Sequence, residues 1–238
     1  LDYTRVHLIE HNKESNNFFF RGNMPANDTM FQYDLLIEYL KKRTIEANLT
    51  FPESYFLVDL ALDNPSDGTP WKNEVAFWKD ASHNTLGQLV NWPLLGNVLP
   101  PNKISADELK KQATPDGDVW KVDQIPSRIE QLHKWIKTKE DIPHIYYTHC
   151  MAGCDRTGEL IASYRTRFQI EQVPHQNITG VYNLDCQECG RCPNFYSTTA
   201  IEWYCYTYQF QFEANIGDCM GFAKCKAFGD CTATQPDN

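Results

Sequence analysis

The chain has 238 residues, of which 22 are Lys or Arg and 31 are Asp or Glu, for a net charge of −9. That acidity excludes nucleic acid and anionic membranes as non-specific partners, because both need a basic surface. No apolar run reaches the roughly 20 residues of a spanning helix, and the length suits one substantial domain with an appendage.

Residues 1–17 are polar and mixed, with Val6, Leu8 and Ile9 as the clear apolar cluster. Phe18-Phe19-Phe20-Arg21-Gly22 reads as a short strand ending in a turn. Asn27 or Asp28 is placed to cap a helix running to about Ala47, with Phe31, Leu35, Leu36, Tyr39 and Leu40 inward. Tyr55 to Leu62 is apolar except for Asp59, which predicts a strand covered on both faces. Asn64 to Pro70 is a loop by its turn residues. Trp71 to Trp78 reads as a short helix with Trp71, Val75 and Trp78 on one face. Residues 82–103 lack clean periodicity, and an irregular connection with a strand near Val98-Leu99 is expected. Ser105-Ala106-Asp107-Glu108 is a capping box opening a helix to about Gln112. A loop of acids, Pro115 to Pro126, precedes a helix capped by Ser127, with Ile129, Leu132, Trp135 and Ile136 on its inner face. Ile142 to Thr148 reads as a buried strand. Leu160, Ile161, Tyr164 and Phe168 then mark a helix. Residues 196–215 fit both a strand and a helical face; a closing helix capped by Ser197 is preferred. Alternating strands and helices predict an α/β fold, a central mostly parallel sheet flanked by helices.

Between the buried strand and its helix stands His149-Cys150-Met151-Ala152-Gly153-Cys154-Asp155-Arg156-Thr157-Gly158-Glu159. A strand–loop–helix corner suits an anion. The amides of Met151, Ala152, Gly153, Cys154, Asp155 and Arg156 can converge on one point, and the helix dipole adds to their field. The same field favours the Cys150 thiolate. Arg156 supplies a planar fork for two phosphate oxygens, a geometry lysine lacks. Thr157 is placed to donate its hydroxyl to the sulfur.

This string resembles the signature loop of the cysteine-dependent protein tyrosine and dual-specificity phosphatases, His-Cys-five residues-Arg-Ser/Thr. Its Gly-x-Asp-Arg-Thr-Gly ending looks most like the branch that includes phosphoinositide and inositol phosphate phosphatases, where a lysine often stands at the position of Cys154. The resemblance covers residues 115–172 most strongly and extends back to residue 18, where Arg21 and Pro25 fit an early Arg-x-x-x-Pro pattern. It implies a phosphatase-like domain over residues 1–180. It also implies that His149 tunes Cys150 through hydrogen bonds, and that an upstream Asp protonates the leaving alcohol. Asp123, in an Asp-x-x-Pro setting, is preferred for that role; Asp118 stands close behind and Asp116 third. The implied reaction passes through a phosphocysteine and calls for no cofactor and no metal, because Arg156 and the amides carry the positive charge. Its substrate would be a phosphorylated protein, an inositol phosphate or a small phosphomonoester.

Nine cysteines are many for a cytosolic enzyme, and seven lie in Cys186–Cys231. With Cys150 kept free, the other eight (Cys154, Cys186, Cys189, Cys192, Cys205, Cys219, Cys225 and Cys231) can form four bridges, whose pairing the sequence leaves open. Cys154 has three readings: a structural thiol, a bridge partner for the C-terminal segment, or a resolving thiol for Cys150. Cys186-x-x-Cys189-x-x-Cys192 also has zinc-like spacing, but no His pair accompanies it. Residues 181–238 therefore read as a closing helix and a disulfide-rich C-terminal extension packed on the same domain. Asn27, Asn48 and Asn177 head glycosylation sequons. Together with the cysteines they point to a secreted or secretory-pathway protein, and the start at Leu1 allows a processed leader. Two further readings stand beside the enzyme: a secreted glycoprotein that keeps the fold for assembly, self-assembly included, or ligand binding without turnover, and a rhodanese-type sulfurtransferase. The Asp-Arg-Thr-Gly ending argues against the last.

Overall fold

A computed structural model describes residues 1–225 and 231–233, with backbone alone for 224–225 and 231–233. The described residues form an α/β structure with seven α-helices, a five-stranded mostly parallel sheet and a two-stranded ribbon. No described helix is long and apolar enough to cross a membrane. The chain divides into two compact units, Leu1–Pro93 with Leu132–Gly153 and Leu94–Gln131 with Cys154–Asn238.

The first unit holds the sheet. Its strands are β1 (His7–His11), β2 (Phe18–Asn23), β3 (Phe56–Ala61), β4 (Gly87–Asn91) and β5 (His144–Cys150), in the spatial order β1-β2-β5-β3-β4. Only β1 runs antiparallel to its neighbour. The middle strand, β5, pairs with β2 on one side and β3 on the other, so His149 lies opposite both Gly22 and Ala61. Phe18, Phe20, Leu57, Ala61, Ile145 and Tyr147 build the core with helix α1 (Tyr33–Glu46) and helix α2 (Thr69–Lys79). Burying both faces accounts for the near-continuous apolar runs of β2, β3 and β5.

The second unit is helical. It contains α3 (Ala106–Gln112), α5 (Arg156–Phe168), α6 (Ile178–Cys189), α7 (Phe195–Phe212) and the ribbon β6 (Ala223–Cys225) and β7 (Cys231–Ala233). Helix α4 (Ile125–Lys137) contributes its first turns here and its last turns to the first unit. Ala162, Val181, Tyr182, Ile201 and Cys205 pack into one core. Three disulfides brace it: Cys154–Cys189, Cys186–Cys192 and Cys205–Cys219. Cys225 and Cys231 are register partners across the ribbon; their expected bridging lies outside the described side chains.

Several expected boundaries move. Helix α1 starts at Tyr33 rather than after Asn27, because Asn27 Oδ1 accepts the Thr29 and Met30 amides and closes a turn of its own. Helix α4 starts at Ile125, two residues ahead of Ser127, whose hydroxyl donates to the Gln124 carbonyl. Asn194, not Ser197, caps α7 and accepts the Ser197 amide at 3.1 Å. No strand forms at Val98-Leu99, where Val98 is 74% exposed. The strand of that region is β4, at the sheet edge, where Gly87 lies so close to the Leu57 carbonyl that a Cβ would overlap it. Ser105 does accept the Glu108 amide, at 3.3 Å.

Candidate active site

Strand β5 ends at Cys150 and helix α5 opens at Arg156, so the signature segment runs from a strand end through a loop to a helix start. Parallel pairing on both sides of β5 puts Cys150 at the C-terminal ends of the strands, the end where such sheets bind ligands. Cys150 is 1% exposed and is the free cysteine among the described side chains.

In the first unit, the loop residues are held from the sheet side. Arg21, fully buried, donates from Nη2 to the Gly153 carbonyl at 2.8 Å, and Arg5 Nη1 donates to the Ala152 carbonyl at 2.7 Å. Gly153 sits at φ +74°, and a Cβ there would approach the Gly22 carbonyl oxygen to 2.5 Å. Both features demand glycine. The Cys150 carbonyl accepts from Met24 N at 2.9 Å and from Gly153 N at 3.2 Å. Met151 N donates to Asp63 Oδ1 at 2.9 Å. Of the loop amides expected to be able to converge on an anion, those of Met151 and Gly153 donate within the protein. A buried carboxylate takes the first amide, and the tight turn after Cys150 takes the second.

Behind Cys150, His149 is fully buried and faces three acids. Its Nε2 lies 3.0 Å from Asp59 Oδ1 and 2.9 Å from Glu74 Oε1, and its Nδ1 lies 3.5 Å from Asp63 Oδ2. Asp59 also accepts the Trp78 indole N–H at 2.7 Å. Burial opposes the imidazolium, yet Glu74 and Asp59 outweigh it and hold the His149 pKa well above its usual value. Burial and the neighbouring Asp59 push Glu74 well above the carboxylate range, against the pull of His149. Among the described residues, Asp59, Glu74 and His149 have donor atoms clustered as a cation site would need.

In the second unit, the remainder of the segment is fixed by α6 and the turn after it. Cys154 is bonded to Cys189, which removes its readings as a free thiol and as a resolving partner for Cys150. The Asp155 carboxylate is gripped by Arg191 through two bonds of 2.8 and 2.6 Å and accepts Asn194 N at 2.8 Å. The Thr157 hydroxyl is buried and has no hydrogen-bond partner among the described residues. The two favoured acids differ sharply. Asp118 is exposed and paired with Lys121 at 2.9 Å, and that hydrogen bond and charge lower its pKa. Asp123 is buried, and its two oxygens accept the Leu95 and Gly96 amides at 3.0 and 2.7 Å. Burial raises its pKa against those amides and Arg128. Asn27 and Asn48 are exposed, whereas Asn177 is half-buried and its Oδ1 caps α6 by accepting Gly180 N.

Arg5, Asp63, Glu74 and Arg191 were absent from the sequence reading. Asp59 carried the one available signal, a lone acid inside an apolar strand, since a buried charge needs a partner. Compared with models of known families and with curated proteins, the chain matches none.

Proposed function

We propose that the chain is a cysteine-dependent phosphomonoester hydrolase of the tyrosine and dual-specificity phosphatase kind. One observation carries the reading: the free cysteine of the described side chains ends the middle strand of a mostly parallel sheet and is followed, six residues on, by an arginine that opens a helix. Cys150 attacks phosphorus, the alcohol leaves with a proton from an acid, and water then cleaves the phosphocysteine. Arg156 and amides of the loop stabilise the equatorial oxygens. Asp123 is the better acid of the two, because a buried carboxyl with a raised pKa holds its proton nearer neutrality. Three disulfides are compatible with an oxidising compartment, and the reading includes secretion and glycosylation at Asn27 and Asn48.

A second reading, a secreted scaffold without turnover, is favoured by the Met151 and Gly153 amides being engaged within the protein. An aryl phosphate assay separates the two. The enzyme reading expects vanadate-sensitive turnover that disappears in Cys150→Ser and falls about 100-fold or more in Asp123→Asn, with Asp118→Asn close to the parent. Folded protein with a titratable Cys150 thiol and no turnover supports the scaffold instead.

A further inference from the structure

The three side chains that meet behind β5 come from distant parts of the sequence: Asp59 from β3, Glu74 from α2 and His149 from β5. All three are fully buried. As a purely hydrogen-bonded group they are incompletely satisfied. The His149 Nε2 position carries one hydrogen at most, and it is directed at Asp59 Oδ1. Glu74 Oε1 lies 2.9 Å from the same nitrogen, yet neither Glu74 oxygen has a hydrogen-bond partner among the described residues. Two carboxyl groups and a ring nitrogen thus share one dry space, with neither Glu74 oxygen held by a directed hydrogen bond. Leaving buried polar oxygens without a directed partner is costly.

The surroundings are those of ligands to an ion. Ligating histidines turn their other ring nitrogen to a carboxylate, and ligating carboxylates are themselves hydrogen-bonded. Here Nδ1 faces Asp63 at 3.5 Å, and the outer oxygen of Asp59 accepts the Trp78 indole at 2.7 Å. Spacings of 2.9 and 3.0 Å from Nε2 to the two oxygens are those of ligands at right angles on one ion with bonds of about 2.0–2.2 Å, and a tetrahedral ion would open them to about 3.3–3.6 Å. One imidazole with two carboxylates is a mixed donor set suited to a borderline divalent transition metal, not to a soft thiophilic one or to Ca²⁺.

We propose that Asp59, Glu74 and His149 form a structural binding site for one divalent transition-metal ion, with Zn²⁺ as the probe. The ion ties β3, α2 and β5 together beneath the loop, and Asp63 links its histidine ligand to the Met151 amide. Metal content is read separately from turnover, so the site stands or falls apart from the phosphatase reading even though His149 lies next to Cys150 in the chain.

The full chain, produced in an oxidising host with Zn²⁺ present, is freed of loose metal by gel filtration and assayed by elemental analysis. About one Zn²⁺ per chain is expected, with a melting temperature that falls when a chelator strips it. X-ray absorption at the zinc edge should show only N and O neighbours. Glu74→Gln should weaken retention at least 100-fold, and Trp78→Phe, which removes only the donor to Asp59, about 10-fold. Folded parent chain that retains no metal overturns the site, as does sulfur in the zinc shell. Undiminished retention by Glu74→Gln overturns it equally. Should Glu74→Gln fail to fold, the stoichiometry and absorption spectrum of the parent chain still decide the matter.

Discussion

Glu202 shows how one buried side chain sets a pH response. It lies in α7, 7% exposed, and burial, reinforced by Asp218, raises its pKa from 4.5 to about 8. Below about pH 4.5 the acid is neutral in folded and unfolded chains alike. Between 4.5 and 8 the unfolded chain releases a proton that the folded chain keeps, so stability falls as pH rises. Above that window the full penalty applies, on the order of 5 kcal/mol at 1.36 kcal/mol per pH unit. Glu202→Gln should therefore match the parent near pH 4.5 and exceed it by several degrees in melting temperature near pH 8.5. A difference of equal size at both pH values would refute the account. At this same scale, the sequence disclosed Cys150, Arg156 and Thr157 because they are neighbours in the chain. It did not disclose the Asp59–Glu74–His149 meeting, which exists only once β3, α2 and β5 are assembled.

Elements were legible where their pattern was local and sustained. Helices α2, α4 and α5 and strands β2, β3 and β5 lie where apolar period and turn residues place them. Helix α6 was not read. Its run of cysteines masked a helical face of Val181, Tyr182, Asp185 and Cys189, all buried. Strand β4 was missed because five residues at a sheet edge, beginning with glycine, carry little periodicity. The disulfides give the elements a testable order of importance. In a chain-entropy picture, cross-links with sequence separations of 35, 14 and 6 contribute about 4, 3 and 2 kcal/mol. Paired Cys→Ala substitutions should thus destabilise in the order Cys154–Cys189, Cys205–Cys219, Cys186–Cys192, as read by denaturant melts. The first should also lower turnover in the proposed reaction, since it frees the segment from α6.

Across the whole molecule, the α/β class was visible in the alternation of strand and helix patterns, whereas the division into two units was not. Each unit draws on two stretches of chain, and no composition shift marks such interleaving. The cysteine count supplies a check at this scale. Nine cysteines with Cys150 free predict one reactive thiol per unreduced chain in denaturant and very slow labelling of the native protein, where Cys150 is 1% exposed. Two or more thiols in denaturant would break the parity.

Strand order also bears on biosynthesis. Strand β2 ends at Asn23 and β3 at Ala61, yet β5, which separates them in the sheet, begins at His144. At about 5–20 residues per second, ribosomes need roughly 6–25 s to travel from the end of β2 to the start of β5. For that interval Phe18, Phe19 and Phe20 lack the partner that will cover their edge, which stays open to pairing with other chains until the middle strand arrives.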